Sequence, residues 1–303
     1  MNEDNVIKSI KKWLFKSKLY PLLDKMRGYY YEGQKFYKRN GYELNLKNPR
    51  TFNEKVVVKK LHDRNPLLFL TGDKYNVKNL LLEKFGEASK DFIIPTLFSG
   101  KDYNKIPFES LPEEYIVKGC HLSGDNLIVT KDRKISKSEL ISHCRYLLTR
   151  DITIPGHAWF YKKIPKRIII EPLLRDEKGK IPQDFKFFCF SGKVKMFQVD
   201  FERSTSLKRS LFNSDGDFVD GRIYYPNGIK QHGIKDLKKM IEFVEGLTFN
   251  LDFVRVDIYI INDRPIFGEL THYPGAGYSR IFPYELDLTL GNYWQLGPYF
   301  NNR

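Results

Sequence analysis

The chain has 303 residues, a net charge of +14, 41% hydrophobic residues and 15% aromatic residues. This composition supports two or three packed domains and excludes a disordered chain. No apolar run reaches the ~18 residues that span a bilayer, so no transmembrane segment is predicted. The three cysteines, Cys120, Cys144 and Cys189, lack CxxC spacing, which argues against a disulfide framework and a cysteine-based zinc site.

The excess of positive charge favours anionic partners such as nucleotides, acidic glycans, nucleic acid or lipid headgroups, but it does not choose among them. The alternative is that it only keeps the surface soluble. Because no RRM, KH or zinc motif is found, nucleic acid is not an expected partner.

The N-terminus begins acidic and lacks a signal-peptide core and cleavage site, which predicts a cytoplasmic protein. Residues 5–24 form a helical pattern in which lysines alternate with apolar side chains. Such a helix either packs on its own domain or lies peripherally on the inner face of an anionic membrane.

The following segment, 51–90, predicts two helices. Thr51 and Glu54 have capping-box spacing at the start of the first, and the second begins near Asp73. From Phe92 onward the pattern changes to strands, with a Ser191-Gly192 hairpin turn and one further helix at about 234–247. The order predicts an α+β protein whose last part is a mostly antiparallel sheet.

Two acidic residues interrupt an apolar hairpin at 253–277. A three-residue loop, 262–264, pairs Asp257 directly with Glu269, whereas a two-residue loop sends Glu269 to the opposite face. On the three-residue register we expect one polar and one apolar face. The polar face holds Arg255, Asp257, Tyr259, Phe267, Glu269 and Thr271, and the apolar face Val254, Val256, Ile258, Ile260, Ile266 and Leu270.

Two bare carboxylates opposed in this way, about 5 Å apart at Cβ, repel by roughly 3 kcal/mol at an effective dielectric near 20. A hard divalent cation such as Mg²⁺ removes that repulsion. The alternative is that Arg255 or a lysine neutralises the pair.

Other charged motifs are ambiguous when taken singly. The loop 118–126 either cradles phosphate or forms an ordinary turn. Lys74 begins a helix, Glu171 ends a strand, and Asp184 and Lys186 share a strand face, where an ion pair is the simpler explanation. Asp215 and Asp217 form a DxD motif, which suggests a glycosyltransferase metal site or, more simply, a glycine-containing turn.

Seven motifs occur in an order that resembles the ATP-grasp superfamily, and within it the TupA-like group associated with teichuronopeptide and surface-polysaccharide biosynthesis. They are RTFNEK (50–55), GDK (72–74), IVK (116–118), EPLL (171–174), DFKFFCF (184–190), RVDIY (255–259) and GELT (268–271). The resemblance implies an ATP-grasp fold with a helical N-terminal region (1–90), a small α+β lid (91–170) and a larger central sheet domain (171–303).

The resemblance also implies site roles. ATP is expected to contact Lys74, Lys118, Gly119, Ser123, Gly124, Asn126, Glu171, Leu173, Leu174 and Asp184. Mg²⁺ is expected at Asp257, Glu269 and Thr271, and catalysis is expected from Arg255 and Lys186. Thr271 stands where D-alanine–D-alanine ligases have Asn, so its role as a ligand is the weakest of these expectations.

The implied reaction is an ATP-dependent carboxylate–amine ligation through an acylphosphate. The implied partners are an acidic glycan or lipid-linked saccharide and an amine or amino acid, in cell-surface polysaccharide synthesis. Two alternatives remain: a glycosyltransferase that uses Asp215 and Asp217, and a simple kinase of the same fold.

Overall fold

The computed structural model describes residues 19–152, 157–201, 206–298 and 300. Most of the helix predicted at 5–24 lies outside these residues, and only its end, within α1 (Tyr20–Met26), can be described. Among the described residues, no helix has the length and apolar character needed to cross a membrane.

The N-terminal region is helical, as predicted. The Thr51 hydroxyl accepts a hydrogen bond from the Glu54 backbone N–H, and the Glu54 carboxylate accepts one from the Thr51 backbone N–H, which confirms the capping box that starts α3. The second predicted helix begins at Asn76, close to the expected start near Asp73, and a short helix that was not predicted, Leu67–Gly72, precedes it. The helices of this region after α1 are α2 (Tyr30–Asn40), α3 (Phe52–His62), α4 (Leu67–Gly72) and α5 (Asn76–Phe85).

A small antiparallel sheet follows, with strand order β1-β4-β2-β3. Helix α6 covers it with buried Leu140, Cys144 and Leu147. Its last strand runs to Pro172 and therefore carries Glu171. The elements are β1 (Phe98–Gly100), β2 (Tyr115–Gly119), β3 (Leu127–Val129), α6 (Lys137–Thr149) and β4 (Ile168–Pro172).

The large sheet has six antiparallel strands in the order β11-β10-β5-β6-β7-β8. Strands β9 and β12 form a separate pair beside it. The elements of this part are β5 (Asp184–Phe190), β6 (Lys193–Phe201), β7 (Lys208–Asn213), β8 (Phe218–Val219), β9 (Arg222–Ile223), α7 (Leu237–Gly246), β10 (Phe253–Ile261), β11 (Arg264–Thr271), β12 (Ile281–Phe282) and α8 (Tyr284–Asn292).

One face of the large sheet is mostly apolar. Phe187 stacks on Phe197, with ring centroids 5.1 Å apart, and Phe197 stacks on Phe212 at 5.2 Å. Helix α7 contributes buried Met240 and Val244 to the same core. At about 25 cal/mol per Å² of apolar surface removed from water, this layer supplies much of the stabilisation of the domain.

The opposite face is divided along the strands. At one end, Phe52 of α3 meets the ring of Phe253 at 5.1 Å and that of Trp294 at 5.7 Å, so α3 covers this end as core. Farther along the same face, charged side chains replace the aromatic ones. The helical N-terminal region therefore anchors the sheet and leaves its polar end to line a cleft.

The acidic hairpin corrects one prediction. Its loop has two residues, Asn262 and Asp263, both with positive φ, and Ile261 pairs with Arg264, so the three-residue loop was wrong. A β-bulge between Asp257 and Ile258 shifts the register by one residue. Asp257 therefore still pairs with Glu269, as predicted.

The bulge also corrects the assignment of two side chains to faces. Phe267 pairs with Ile258 and is 1% exposed, so it belongs to the apolar face rather than the polar one. Ile266 pairs with Tyr259 and belongs to the polar face. The expected faces are correct for the residues before the bulge and wrong for these two residues beyond it.

Candidate active site

The polar end of the large sheet is built from rungs that cross three strands. Lys186 on β5 pairs with Asp257 on β10, which pairs with Glu269 on β11. Arg255 and Thr271 form the neighbouring rung. Because residues two apart on a strand share a face, all five side chains lie on one surface.

Asp257 is the most enclosed acidic group of this surface. Arg255 donates to both of its carboxylate oxygens, at 2.6 Å each, and Lys186 donates to Oδ2 at 3.0 Å. Burial alone raises the pKa of a carboxyl group, but the adjacent Arg255 and Lys186 outweigh burial and lower the pKa of Asp257. Asp257 is therefore a fixed negative charge, and the alternative that basic side chains neutralise it is realised.

Asp257 and Glu269 still fit a magnesium site. A carboxylate offers about four lone-pair positions, and Arg255 and Lys186 use three of those on Asp257. The side chain of Glu269 is 43% exposed toward the cleft, so its oxygens are accessible. Mg²⁺ takes one or two carboxylates and completes its shell with water and phosphate. Thr271 fits less well, because its hydroxyl already accepts a hydrogen bond from Arg255 at 3.0 Å.

A second charged cluster lies on the small sheet and α5. The Glu171 carboxylate receives Lys118 at 2.7 Å on one oxygen and Lys78 on the other. Burial lowers the pKa of Lys78, whereas for Lys118 the attraction of Glu171 outweighs burial and raises the pKa to about 12. Both lysines together outweigh the effect of burial on Glu171 and lower its pKa. The cluster keeps one net positive charge.

A cleft opens beside Glu269 and Thr271, and Lys74 lines it. Its ammonium donates to the carbonyl of Leu122 in the 119–126 loop at 2.6 Å and lies 3.7 Å from the Glu269 carboxylate. Glu269 also adds to the rise in the pKa of Lys118, which places the two clusters within electrostatic reach. The lining of the cleft includes Thr71, Lys74, Ser123, Tyr161, Glu269 and Thr271.

The structure gives less support to the other loop residues that were predicted to contact ATP. Ser123 lines the cleft, whereas Gly124 and Asn126 are exposed farther along the loop. Gly119 is buried where the loop begins, and a Cβ there would lie 2.8 Å from Leu122, so the tight turn requires glycine. The contacts of these residues with ATP stay predictions.

The segment after β4 is partly engaged within the protein. The backbone N–H of Leu173 donates to the carbonyl of Glu114 at 3.2 Å, and Leu173 and Leu174 are both half-buried. If the N–H of Leu173 is to donate to the base of ATP, it must first break its hydrogen bond with the Glu114 carbonyl.

The sequence reasoning missed Lys78 and Tyr161. Lys78 lies four residues after Lys74 on the helix that follows, a spacing that puts both ammonium groups on one side of the chain. That spacing was a usable signal. Tyr161 belongs to a short 3₁₀ turn, Trp159–Lys163, and burial raises the pKa of its phenol. No motif marked it.

The charged surface extends beyond the predicted residues. Asp184 forms an ion pair with Lys186, which confirms the simpler reading of that pair, and it lies opposite Asp200 on β6. Arg209 on β7 donates to Asp200 at 2.7 Å. The result is a buried row of charged side chains across β10, β5, β6 and β7, within which Asp184 and Asp257 hold Lys186 in place.

Asp215 and Asp217 lie in the exposed turn between β7 and β8. The Asn213 side-chain oxygen accepts from the backbone N–H of each, at 3.0 and 2.8 Å. This arrangement matches the glycine-containing turn and accounts for the DxD motif without a metal ion.

Most of the chain matches a known protein family. A family model described as TupA-like ATPgrasp matches residues 54–295. No match was found among curated proteins. Among solved structures, D-alanine–D-alanine ligase from Bacillus anthracis complexed with ATP is 16% identical, with a TM-score of 0.41, over 68% of this chain and 56% of that one.

Two further structures are similar at the same level. VanG D-Ala:D-Ser ligase from Enterococcus faecalis is 15% identical, with a TM-score of 0.42, over 70% of this chain and 55% of that one. The ATP-grasp ligase PsnB complexed with minimal precursor is 10% identical, with a TM-score of 0.38, over 70% and 54%. The chain thus spans little more than half the length of these ligases.

Proposed function

Because the chain belongs to the TupA-like ATP-grasp family, we propose that it is an ATP- and Mg²⁺-dependent carboxylate–amine ligase that acts through an acylphosphate. One observation carries the proposal. The Lys78–Glu171–Lys118 cluster lies within electrostatic reach of Glu269, which belongs to the Lys186–Asp257–Glu269 rung, and Lys74 lies 3.7 Å from the same carboxylate.

The first cluster suits the phosphates of ATP. Two lysines whose side chains are at most 14% exposed share one carboxylate and therefore keep a net positive charge. Lysine is a common phosphate ligand, and charge-assisted hydrogen bonds are about twice as strong as neutral ones. Glu171 acts here through the lysines, which it orients, rather than by touching the nucleotide with its carboxylate.

The second cluster suits the transferring phosphoryl group. A substrate carboxylate oxygen attacks the γ-phosphorus, the bond to the leaving ADP oxygen breaks, and an acylphosphate forms. Arg255 and Lys186 lie where negative charge accumulates, and their ion pairs with Asp257 fix both before the reaction. Mg²⁺, when bound at Asp257 and Glu269, supplies further charge neutralisation at the phosphates.

The second half-reaction forms the amide. The amine nitrogen attacks the acyl carbon, loses a proton, and phosphate leaves with both electrons of the carbon–oxygen bond. The guanidinium of Arg255 is positioned to stabilise the negative charge of the tetrahedral intermediate.

The proposed substrates are a uronic-acid-type glycan, or its lipid-linked precursor, and an amine or amino acid, used in cell-surface polysaccharide synthesis. The net charge of +14 supports an acidic partner because it raises the local concentration of anions. Attachment of residues 5–24 to the inner face of a membrane stays a prediction, as does the cytoplasmic location.

The test is a panel of carboxylates and amines incubated with ATP and Mg²⁺, with ADP and product measured together. The ligase proposal predicts ADP formation that requires both a carboxylate and an amine, with an amide detected by mass spectrometry. A phosphorylated product that persists in the presence of amines supports the kinase alternative instead. UDP release from a nucleotide sugar supports the glycosyltransferase.

A further inference from the structure

Three buried side chains meet outside the cleft, where the N-terminal helices contact the segment before Trp159. They are Asp24 on α1, Glu32 in the first turn of α2, and His157. Asp24 is 0% exposed and Glu32 is 1% exposed. Each offers one ligand atom, and the three atoms lie within 4.8 Å of one another.

The hydrogen bonds of Glu32 leave one buried oxygen unsatisfied. Its Oε1 accepts from Lys60 and from the Tyr278 hydroxyl, both at 2.6 Å. Its Oε2 is buried and has no hydrogen-bond partner among the described residues. A buried acceptor without a partner costs about 1–3 kcal/mol, so a cation beside this oxygen removes a real penalty.

The negative charges of the cluster lie on its two carboxylates. Lys60 forms an ion pair with Glu32 at 2.6 Å, and Lys35 is also within electrostatic reach of Glu32. The ion-pair partner of Asp24 is His157 rather than a lysine. Because buried charges need full pairing, a cation between the imidazole and the two carboxylates completes the pairing of this cluster.

We propose that Asp24, Glu32 and His157 bind a divalent transition-metal ion, of which Zn²⁺ is the best match. Imidazole nitrogen and carboxylate oxygen are both ordinary zinc ligands, and one imidazole with two carboxylates supplies three of the four donors that a tetrahedral site needs. His157 Nε2 faces Asp24 Oδ2 at 2.8 Å, and the ion takes the position of the proton that now joins them. Ligand atoms of a tetrahedral zinc ion lie about 3.4 Å apart, so the site closes with side-chain shifts of about 1 Å.

The role of this ion is structural. His157 lies two residues before the 3₁₀ turn that carries Tyr161 into the cleft lining. The rings of Tyr20 and Tyr29 flank the imidazole, at 5.6 and 5.7 Å between centroids. The ion joins α1 and α2 to that turn and so fixes one wall of the cleft from outside. It does not depend on the nucleotide site.

The test uses the full-length protein, stripped of metal with a chelator and titrated with Zn²⁺ without nucleotide. We expect about one zinc per chain and a rise in the thermal unfolding midpoint. His157→Asn lowers zinc affinity more than about tenfold, whereas His143→Asn, on α6, does not change it.

Two results overturn the proposal. One is a wild-type chain that takes up no zinc and unfolds at the same temperature with and without it. The other is a His157→Asn variant that binds zinc as the wild type does. The first does not depend on how the variant folds.

Discussion

At the scale of single residues, Asp257 is the position on which the chemistry depends most. Its carboxylate holds Arg255 and Lys186 and is the buried member of the proposed magnesium pair. The sequence predicted its pairing with Glu269, and both the strand alternation and the family resemblance pointed to it. The ion pairs that surround it were left as an alternative, because strand register alone does not decide which basic side chain reaches a carboxylate.

Asp257→Asn is therefore expected to reduce ATP turnover by about 10²- to 10³-fold, the effect of removing one preorganised electrostatic group. Steady-state ADP formation measures it, and circular dichroism confirms that the variant folds. Asp217→Asn, in the exposed turn, is the matched control and retains turnover. Equal losses in both variants contradict the assignment.

Lys78 is expected to bind phosphate together with Lys118. Lys78→Met removes one charge-assisted hydrogen bond, and we expect ADP to bind about 10- to 100-fold more weakly by calorimetry. Lys84→Met, at the other end of α5, is the control because its ammonium contacts the Gly246 carbonyl instead. Unchanged ADP affinity in Lys78→Met places the phosphates elsewhere.

At the scale of elements, the β-bulge in the acidic hairpin decides which residues form the site. A two-residue turn alone sends Glu269 to the wrong face, and the bulge beside Gly268 restores its pairing with Asp257. A glycine within a strand is a recognised sign of a bulge, so the sequence contained the signal. The predicted loop was one residue too long, and the bulge, which was not predicted, shifts the register by one residue. These two differences cancel, so the predicted pairing of Asp257 with Glu269 is correct.

Gly268→Ala tests the bulge. A Cβ at this position lies 2.9 Å from the Asp257 carbonyl oxygen, so the backbone must shift, and we expect a loss of about 1–3 kcal/mol in the free energy of unfolding. Denaturant unfolding measures it. Gly33→Ala, inside α2 with nothing within 4 Å of the new Cβ, is expected to stabilise by up to about 1 kcal/mol. If Gly268→Ala leaves the free energy of unfolding unchanged, the bulge tolerates a side chain.

At the scale of the whole molecule, α8 is tied to α3 through one buried carboxylate. Asp287 accepts the Tyr42 hydroxyl at 2.6 Å and the Asn53 backbone N–H at 3.0 Å. Burial raises the pKa of Asp287 to about 6, against 3.8 ordinarily, so the folded state binds this proton more tightly than the unfolded state. The stabilisation from this proton is present below about pH 4 and is lost as the pH rises through 6.

Asp287→Asn removes that titration. We expect the stability of the wild type relative to the variant to fall by about 3 kcal/mol between pH 4 and pH 7, from a shift of about two pKa units. Urea midpoints across this range measure the difference. A difference that does not vary with pH contradicts the raised pKa of Asp287.

At this scale, the sequence predicts local structure but not the contacts between distant residues. The α+β order, the capping box at Thr51 and the Ser191-Gly192 turn follow from local patterns, and the structure confirms them. The Lys78–Glu171 contact joins residues 93 positions apart, and the row through Asp200 and Arg209 depends on strand order. Periodicity fixes which face a side chain takes, but only the packed sheets decide which distant charges meet.

The central claim is that a carboxylate is activated as an acylphosphate in the cleft beside Glu269 and Thr271. The most direct test is a reaction with ATP, Mg²⁺, an amine and a carboxylate labelled with ¹⁸O, followed by mass analysis of the released phosphate. The account predicts one ¹⁸O atom transferred from the carboxylate to each phosphate. Amide formation with unlabelled phosphate would contradict it.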